Sequence, residues 1–334
     1  MKFFNNNIRR RDFMKKMAIG GFSVLYGCKK DMRSYTLTDL EPEPVEPEKA
    51  LIALHKTADR REGVTTVMDL LDVAPMEGKH VIVKPNFNTS DPAPGSTHND
   101  TLSQIISEIK ARSASRITLA ERSYQNFGSV ITEKQIDVMS QQMDFNVINL
   151  DIDQYTVFNR TGMHWQNGFR LPDTIGNAEY IVATGCLKTH HTGVITMSLK
   201  LGVGILPRLH MSELHGSPRI NSMIAEINLA YRPNLIIMDG VQTFIEGGPS
   251  QGTERTGNMF IAGTDRIAID AVGTAILKNL GSVRVSGKIF ELEQIQRAME
   301  LKLGIEYANQ IEFVTANEES KSYANELTSI LAAG

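Results

Sequence analysis

The chain has 334 residues, a formal net charge of −3 and 41% hydrophobic residues, enough apolar material for one large core or two unequal lobes. Its Lys and Arg residues form no clustered basic surface of the kind a phosphate backbone demands, which excludes nucleic acid as a partner. Two cysteines exclude a protein-ligated iron–sulfur cluster, which takes about four thiolates.

Residues 1–27 read as an export signal. Arg9-Arg10-Arg11, Phe13 and Lys15-Lys16 precede the apolar stretch from Met17 to Leu25, which is too short to span a bilayer as a helix. The pair Arg10-Arg11 with Phe13 resembles a twin-arginine signal, and Leu25-Tyr26-Gly27-Cys28 resembles a lipobox. This implies a lipid on Cys28, a mature chain that starts there, and a membrane anchor facing the periplasm or the cell exterior. An Arg-rich general secretory signal and a Cys that merely follows the apolar run remain the alternatives. Without residues 1–27 the chain has 29 basic against 37 acidic residues, a formal net of −8.

Residues 28–49 contain Glu41-Pro42-Glu43-Pro44-Val45-Glu46-Pro47-Glu48, and alternating Pro and Glu favours an extended, solvated spacer. From residue 50 to 334 a single α/β domain is expected. Strands at 51–54, 80–83, 116–120 and 146–148 alternate with helical runs at 64–71, 102–109 and 133–143. After short polar–apolar strands between 155 and 171, the alternation resumes through strands at 180–187, 235–238, 259–262 and 311–314. Helical runs at 221–230, 266–280, 289–301 and 324–331 accompany these strands. This order predicts a mainly parallel sheet with helices on both faces and a small antiparallel insertion near 155–171.

Ligands of such sheets bind beyond the carboxyl ends of the strands, and four polar clusters fall there. They are Lys84-Pro85-Asn86, Lys188-Thr189-His190-His191, Asp239-Gly240 with Glu246-Gly247-Gly248-Pro249, and Gly263-Thr264-Asp265 with Asp270. Lys84 and Lys188 suit an anion. His190 suits acid–base work or metal ligation, and adjacent histidines in extended chain point to opposite sides, so one of the two faces a site. Asp239 can ligate a cation, act as a base or cap a turn, and the glycines near Gly248 let backbone approach a ligand. Asp265 reads as the cap of the following helix. Cys186, within an apolar run, reads as core. No phosphate-loop or dinucleotide glycine pattern occurs, and Ser198 lacks a nucleophile-elbow setting.

Taken in order, Lys84-Pro85-Asn86, Lys188-Thr189-His190, Lys200, Asp239-Gly240, Gly247-Gly248-Pro249 and Gly263-x-Asp265-x4-Asp270 resemble the domain of unknown function 362 family. The resemblance spans roughly residues 50–280. Leu201 stands where the family pattern has Asn. The family brings no settled activity, and its members with ferredoxin-type cluster domains differ from this chain in that respect.

The expectation is an enzyme acting on a small anionic metabolite in one cleft. Lys84, Asn86, Lys188 and Gly248 would hold the ligand, with His190, Asp239 and Glu246 as catalytic residues and as candidate ligands for a divalent metal. The alternative is an anchored protein that captures an anion without turning it over.

Overall fold

A computed structural model describes residues 34–36 and 49–333. The export signal, Cys28 and the Pro/Glu run 41–48 lie outside the described residues. The strands are β1 (Ser34–Thr36), β2 (Ala50–Lys56), β3 (His80–Lys84), β4 (Arg116–Glu121), β5 (Asn146–Asn149), β6 (Tyr155–Asn159) and β7 (Phe169–Pro172). They continue with β8 (Tyr180–His190), β9 (Val194–Thr196), β10 (Leu235–Gly247), β11 (Gly252–Thr256), β12 (Met259–Gly263) and β13 (Ile311–Thr315).

The main sheet has the order β13-β2-β12-β10-β8-β3-β4-β5. Every strand on that path is parallel to the others except β12, which is antiparallel to both β10 and β2. Apolar residues fill both faces, as a sheet covered on both sides requires. Ile82, Ile181, Ala183, Ile236 and Met238 share one core with helices Ile220–Ile227 and Arg266–Asn279. Val81, Val83, Leu119, Val182 and Ile237 pack into the other with helices Arg60–Leu70 and Asn99–Ala111. Because alternate residues point to opposite faces, this split assigns a face to every side chain at the strand ends.

Three features depart from the sequence expectation. The helical run expected at 133–143 is confined to Ile136–Gln142, and a separate helix, Phe127–Glu133, precedes it, because Gln135 between them is left-handed (φ 56) and cannot continue a helix. Ser34–Thr36, inside the segment expected as a solvated spacer, pairs in parallel with β6, which is itself antiparallel to β7. The antiparallel insertion is therefore a three-stranded sheet. Finally, β8 and β10 run several residues past the expected strand ends, because β9 and β11 pair with their extensions. Lys188, Thr189, His190 and Glu246 thus lie on strands, where their side chains are fixed. Among the described residues no helix is long and apolar enough to cross a membrane.

Helix Arg60–Leu70 lies close on the sheet at Gly63, where a Cβ would fall 2.2 Å from the ring of the fully buried Phe260. The ring has no room to yield in a close-packed core. Gly63→Ala is expected to destabilise the fold by about 1–3 kcal/mol, measured as a lowered urea midpoint with unchanged slope.

Candidate functional site

β3 and β4 end side by side, which sets Lys84 and Glu121, each 1% exposed, at the carboxyl rim. The Lys84 ammonium donates to Glu121 Oε2 (2.8 Å) and to the Pro85 carbonyl (2.7 Å). Glu121 also accepts from the Phe87 and Arg122 amides, both at 2.9 Å. Burial pushes the lysine toward its neutral form while Glu121 pulls it back. Gly204 closes over the pair: a Cβ there would lie 2.5 Å from Glu121 Oε1 and 2.6 Å from Lys84 Nζ. Lys84 is therefore committed to a buried ion pair. Glu121 escaped the sequence reading, although a carboxylate ending a buried apolar strand was the available signal.

Lys188, also 1% exposed, has no carboxylate partner among the described residues. Its ammonium donates to the carbonyls of Pro94 (3.0 Å), Pro249 (3.0 Å) and Gly95 and to Asn86 Oδ1 (3.3 Å). Burial holds its pKa down to about 8. Lys188 and Asn86 are thus brought together as expected, but as a clasp on two loops. Gly248 serves the same closure. It has φ +71, its carbonyl accepts from the His191 ring (2.8 Å), and a Cβ would fall 2.1 Å from the Thr189 carbonyl.

A second group of basic side chains gathers beyond β8. His190 is 5% exposed, and its Nδ1 accepts the Thr192 and Gly193 amides at 3.0 and 3.1 Å. Its pKa is pushed down to about 2, first by burial and then by Lys200, His191, Lys188 and His215. The ring is neutral, and with Nδ1 as acceptor its proton sits on Nε2. His191 stacks on it, ring centroids 4.8 Å apart and 15° from parallel. The expected opposition of the two side chains fails because β8 ends at His190 and the chain turns there. Arg284 steadies the turn by donating to both histidine carbonyls.

Lys200 stands on the short helix Ser198–Leu201. The fully buried Asp270 accepts the Leu199 amide at the start of that helix (3.3 Å) and the Gln294 side-chain amide (3.0 Å). Burial raises its pKa to about 7. The Lys200 side chain is half-buried, and its ammonium has no acceptor among the described residues. Its pKa is pushed down to about 8, by burial first and then by Lys188 and Arg122. Arg122, 4% exposed, donates to the carbonyls of Leu206 (3.0 Å) and Val203 (3.4 Å) and to Met211 Sδ (2.9 Å), with no carboxylate among these acceptors.

The remaining expected residues go elsewhere. Lys84 pairs in register with Ala183 and faces the core of Ile82, whereas Asp239 faces the core of Ile237 on the opposite side. One cleft lined by both is therefore ruled out. Asp239 is fully buried and saturated: Oδ2 accepts from Arg60 Nε and Thr101 Oγ1, each at 2.8 Å, and Oδ1 from the Val241 amide at 2.9 Å. Glu246 caps a turn, its Oε1 accepting the Val283 (2.7 Å) and Arg284 (2.9 Å) amides. Asp265 caps its helix through the Ala268 amide (2.8 Å) and also holds the Ile305 amide (2.8 Å). His190, Asp239 and Glu246 do not converge as metal ligands, and among the described residues no three His, Cys, Asp or Glu side chains do.

Residues 81–275 match the model of the family described as domain of unknown function (DUF362). The chain belongs to this family. The match includes Lys84, Glu121, Lys188, His190, Lys200 and Asp270. Over 117 residues the chain is 30% identical to the thylakoid-associated protein sll1697 of Synechocystis sp., a stretch that covers 34% of this chain and 36% of that protein. Among solved structures, the lactate racemase apoprotein from Thermoanaerobacterium thermosaccharolyticum aligns with a TM-score of 0.44 and 11% identity, over 87% of this chain and 88% of that one.

Glu121→Gln would leave the buried Lys84 ammonium without a counter-charge. Its expected cost is about 3–5 kcal/mol in urea unfolding, with substantial recovery in the Lys84→Met, Glu121→Gln double variant.

Proposed function

We propose that this is an exported, lipid-anchored enzyme that binds a small anionic metabolite at Lys200. Lys200 carries the reading. Its ammonium has no acceptor among the described residues, and its pKa is held down first by burial and then by Lys188 and Arg122. An ammonium in such company is stabilised by an incoming anion, which takes the place of the missing counter-charge. The neutral His190, whose protonation Lys200 opposes, carries an Nε2–H that can serve as a second donor. A lysine with a pKa of about 8 holds a useful neutral fraction near neutrality, so it can exchange a proton with a bound substrate, and this favours an enzyme over a passive binding protein. The proposal uses no metal centre, because the oxygens of Asp239 are engaged by Arg60, Thr101 and the Val241 amide, and Glu246 Oε1 by the 282–284 turn.

Export and anchoring rest on Arg10-Arg11 and on Leu25 to Cys28. They make the membrane a partner through the lipid and place the domain on the periplasmic or outer side.

Isothermal titration with inorganic phosphate and with small carboxylates tests the site. Lys200→Met is expected to weaken binding about 10- to 100-fold, the worth of one charged hydrogen bond, with an unchanged circular dichroism spectrum. Equal affinity in the variant would overturn the assignment. For the anchor, Cys28→Ala is expected to move the protein from the membrane to the soluble fraction, or to leave its signal uncleaved. Unchanged fractionation and mass would refute lipidation.

A further inference from the structure

We infer that the domain is held against a lipid bilayer by the edge of its three-stranded sheet, with β6 on the membrane side. The inference rests on the Cys28 anchor proposed above and specifies which surface meets the lipid. A free spacer from Cys28 to β2 would give the domain 22 residue steps of slack, a reach of about 73–79 Å when extended. The chain joins the fold sooner. Ser34, Tyr35 and Thr36 pair in parallel with Val157, Phe158 and Asn159, and Ser34 is only six steps past Cys28. Six steps span at most about 20–22 Å, and β6 lies one strand spacing, about 5 Å, beyond.

The acidic Pro/Glu run 41–48 follows this pairing in the chain. It falls between two points of attachment, β1 and β2, and adds nothing to the distance from the membrane. Chain length allows that course. β5, which leads into β6 through residues 150–154, stands six spacings from β2 in the main sheet, about 29 Å. The 14 steps from Thr36 to Ala50 reach about 46–50 Å, ample for the crossing. A hold on β1 is also a hold on the whole domain, because the small sheet is bonded to the rest. The Arg170 amide donates to His210 Nε2 (2.9 Å), the Gln166 amide to Glu213 Oε1 (2.8 Å) and the Trp165 ring to the Met223 carbonyl (3.2 Å). Trp165 and Phe169 are buried in the same core as helix Ile220–Ile227. The link Lys29-Lys30-Asp31-Met32-Arg33 has three basic residues against one acidic, which suits the anionic head groups of a membrane surface.

Energy transfer in vesicles tests the orientation. The full chain, processed and lipidated in its host, is reconstituted into phosphatidylcholine–phosphatidylglycerol vesicles with an acceptor dye on some head groups. A donor dye is placed at Gln154→Cys, exposed beside β6, or at Tyr307→Cys, exposed before the far edge strand β13; Cys186 is buried and escapes labelling. Transfer from residue 154 is expected to be at least about twofold more efficient than from residue 307, because the edge strands β5 and β13 are about 34 Å apart. A Tyr35→Pro, Thr36→Pro change removes the amides that β1 needs for pairing. The two efficiencies should then converge, with an unchanged circular dichroism spectrum. Equal or weaker transfer from residue 154 with β1 intact, or a difference that survives the proline variant, overturns the docked orientation and leaves the anchor standing. Recovery of the protein in the soluble fraction overturns both.

Discussion

An ammonium buried beneath the rim of a parallel sheet must be met by oxygen atoms from several directions, and Lys188 is met by four. Three are backbone carbonyls from two loops far apart in sequence, at Pro94, Gly95 and Pro249, and the fourth is the Asn86 side chain. Carbonyl dipoles offset desolvation less well than a carboxylate does, which is why the amine stays easier to deprotonate than a solvated lysine. The same requirement organises the loops. Neither the 85–97 segment nor the 247–251 turn can move off without leaving a buried charge unsolvated.

The rim holds three lysines with three different surroundings. Lys84 has a carboxylate at 2.8 Å, Lys188 has carbonyls, and Lys200 has no acceptor among the described residues. The first two are structural, since their donors are aimed at fixed protein atoms. The third stands on a helix whose first amides are held by Asp270, so its position is defined although its charge is uncompensated. A positioned cation with no acceptor among the described residues is what makes this lysine the proposed anion site.

The sheet was legible in the sequence because a strand buried on both faces reads as an unbroken apolar run. Such runs at 80–83, 116–120, 180–187 and 235–238 all became neighbouring strands. The rim was legible for the same reason, since polar clusters follow those runs. What each polar residue does there was hidden. Asp239 is answered by Arg60 and Thr101, which precede it by 179 and 138 positions, and no local pattern announces such a partnership. The expected convergence of Lys84 with Asp239 failed on parity, because alternate residues face opposite cores and the two fall on different phases. The stacking of His190 on His191 was hidden by the assumption that extended chain continues through them, whereas the Thr192 and Gly193 amides fold back onto the first ring.

The reversal of β12 divides the sheet into two unequal parts. Because β12 enters at the carboxyl rim where its neighbours leave it, the loop region there is interrupted, and β2 and β13 lie on the far side of the interruption. Both of these strands also fall outside residues 81–275, the part shared with the family. The shared stretch thus contains every strand from β12 to β5, together with the cation cluster, as a self-consistent half. The β2–β13 flank, outside that stretch, joins the sheet through the reversed strand alone, with β2 antiparallel to β12 and β13 parallel to β2.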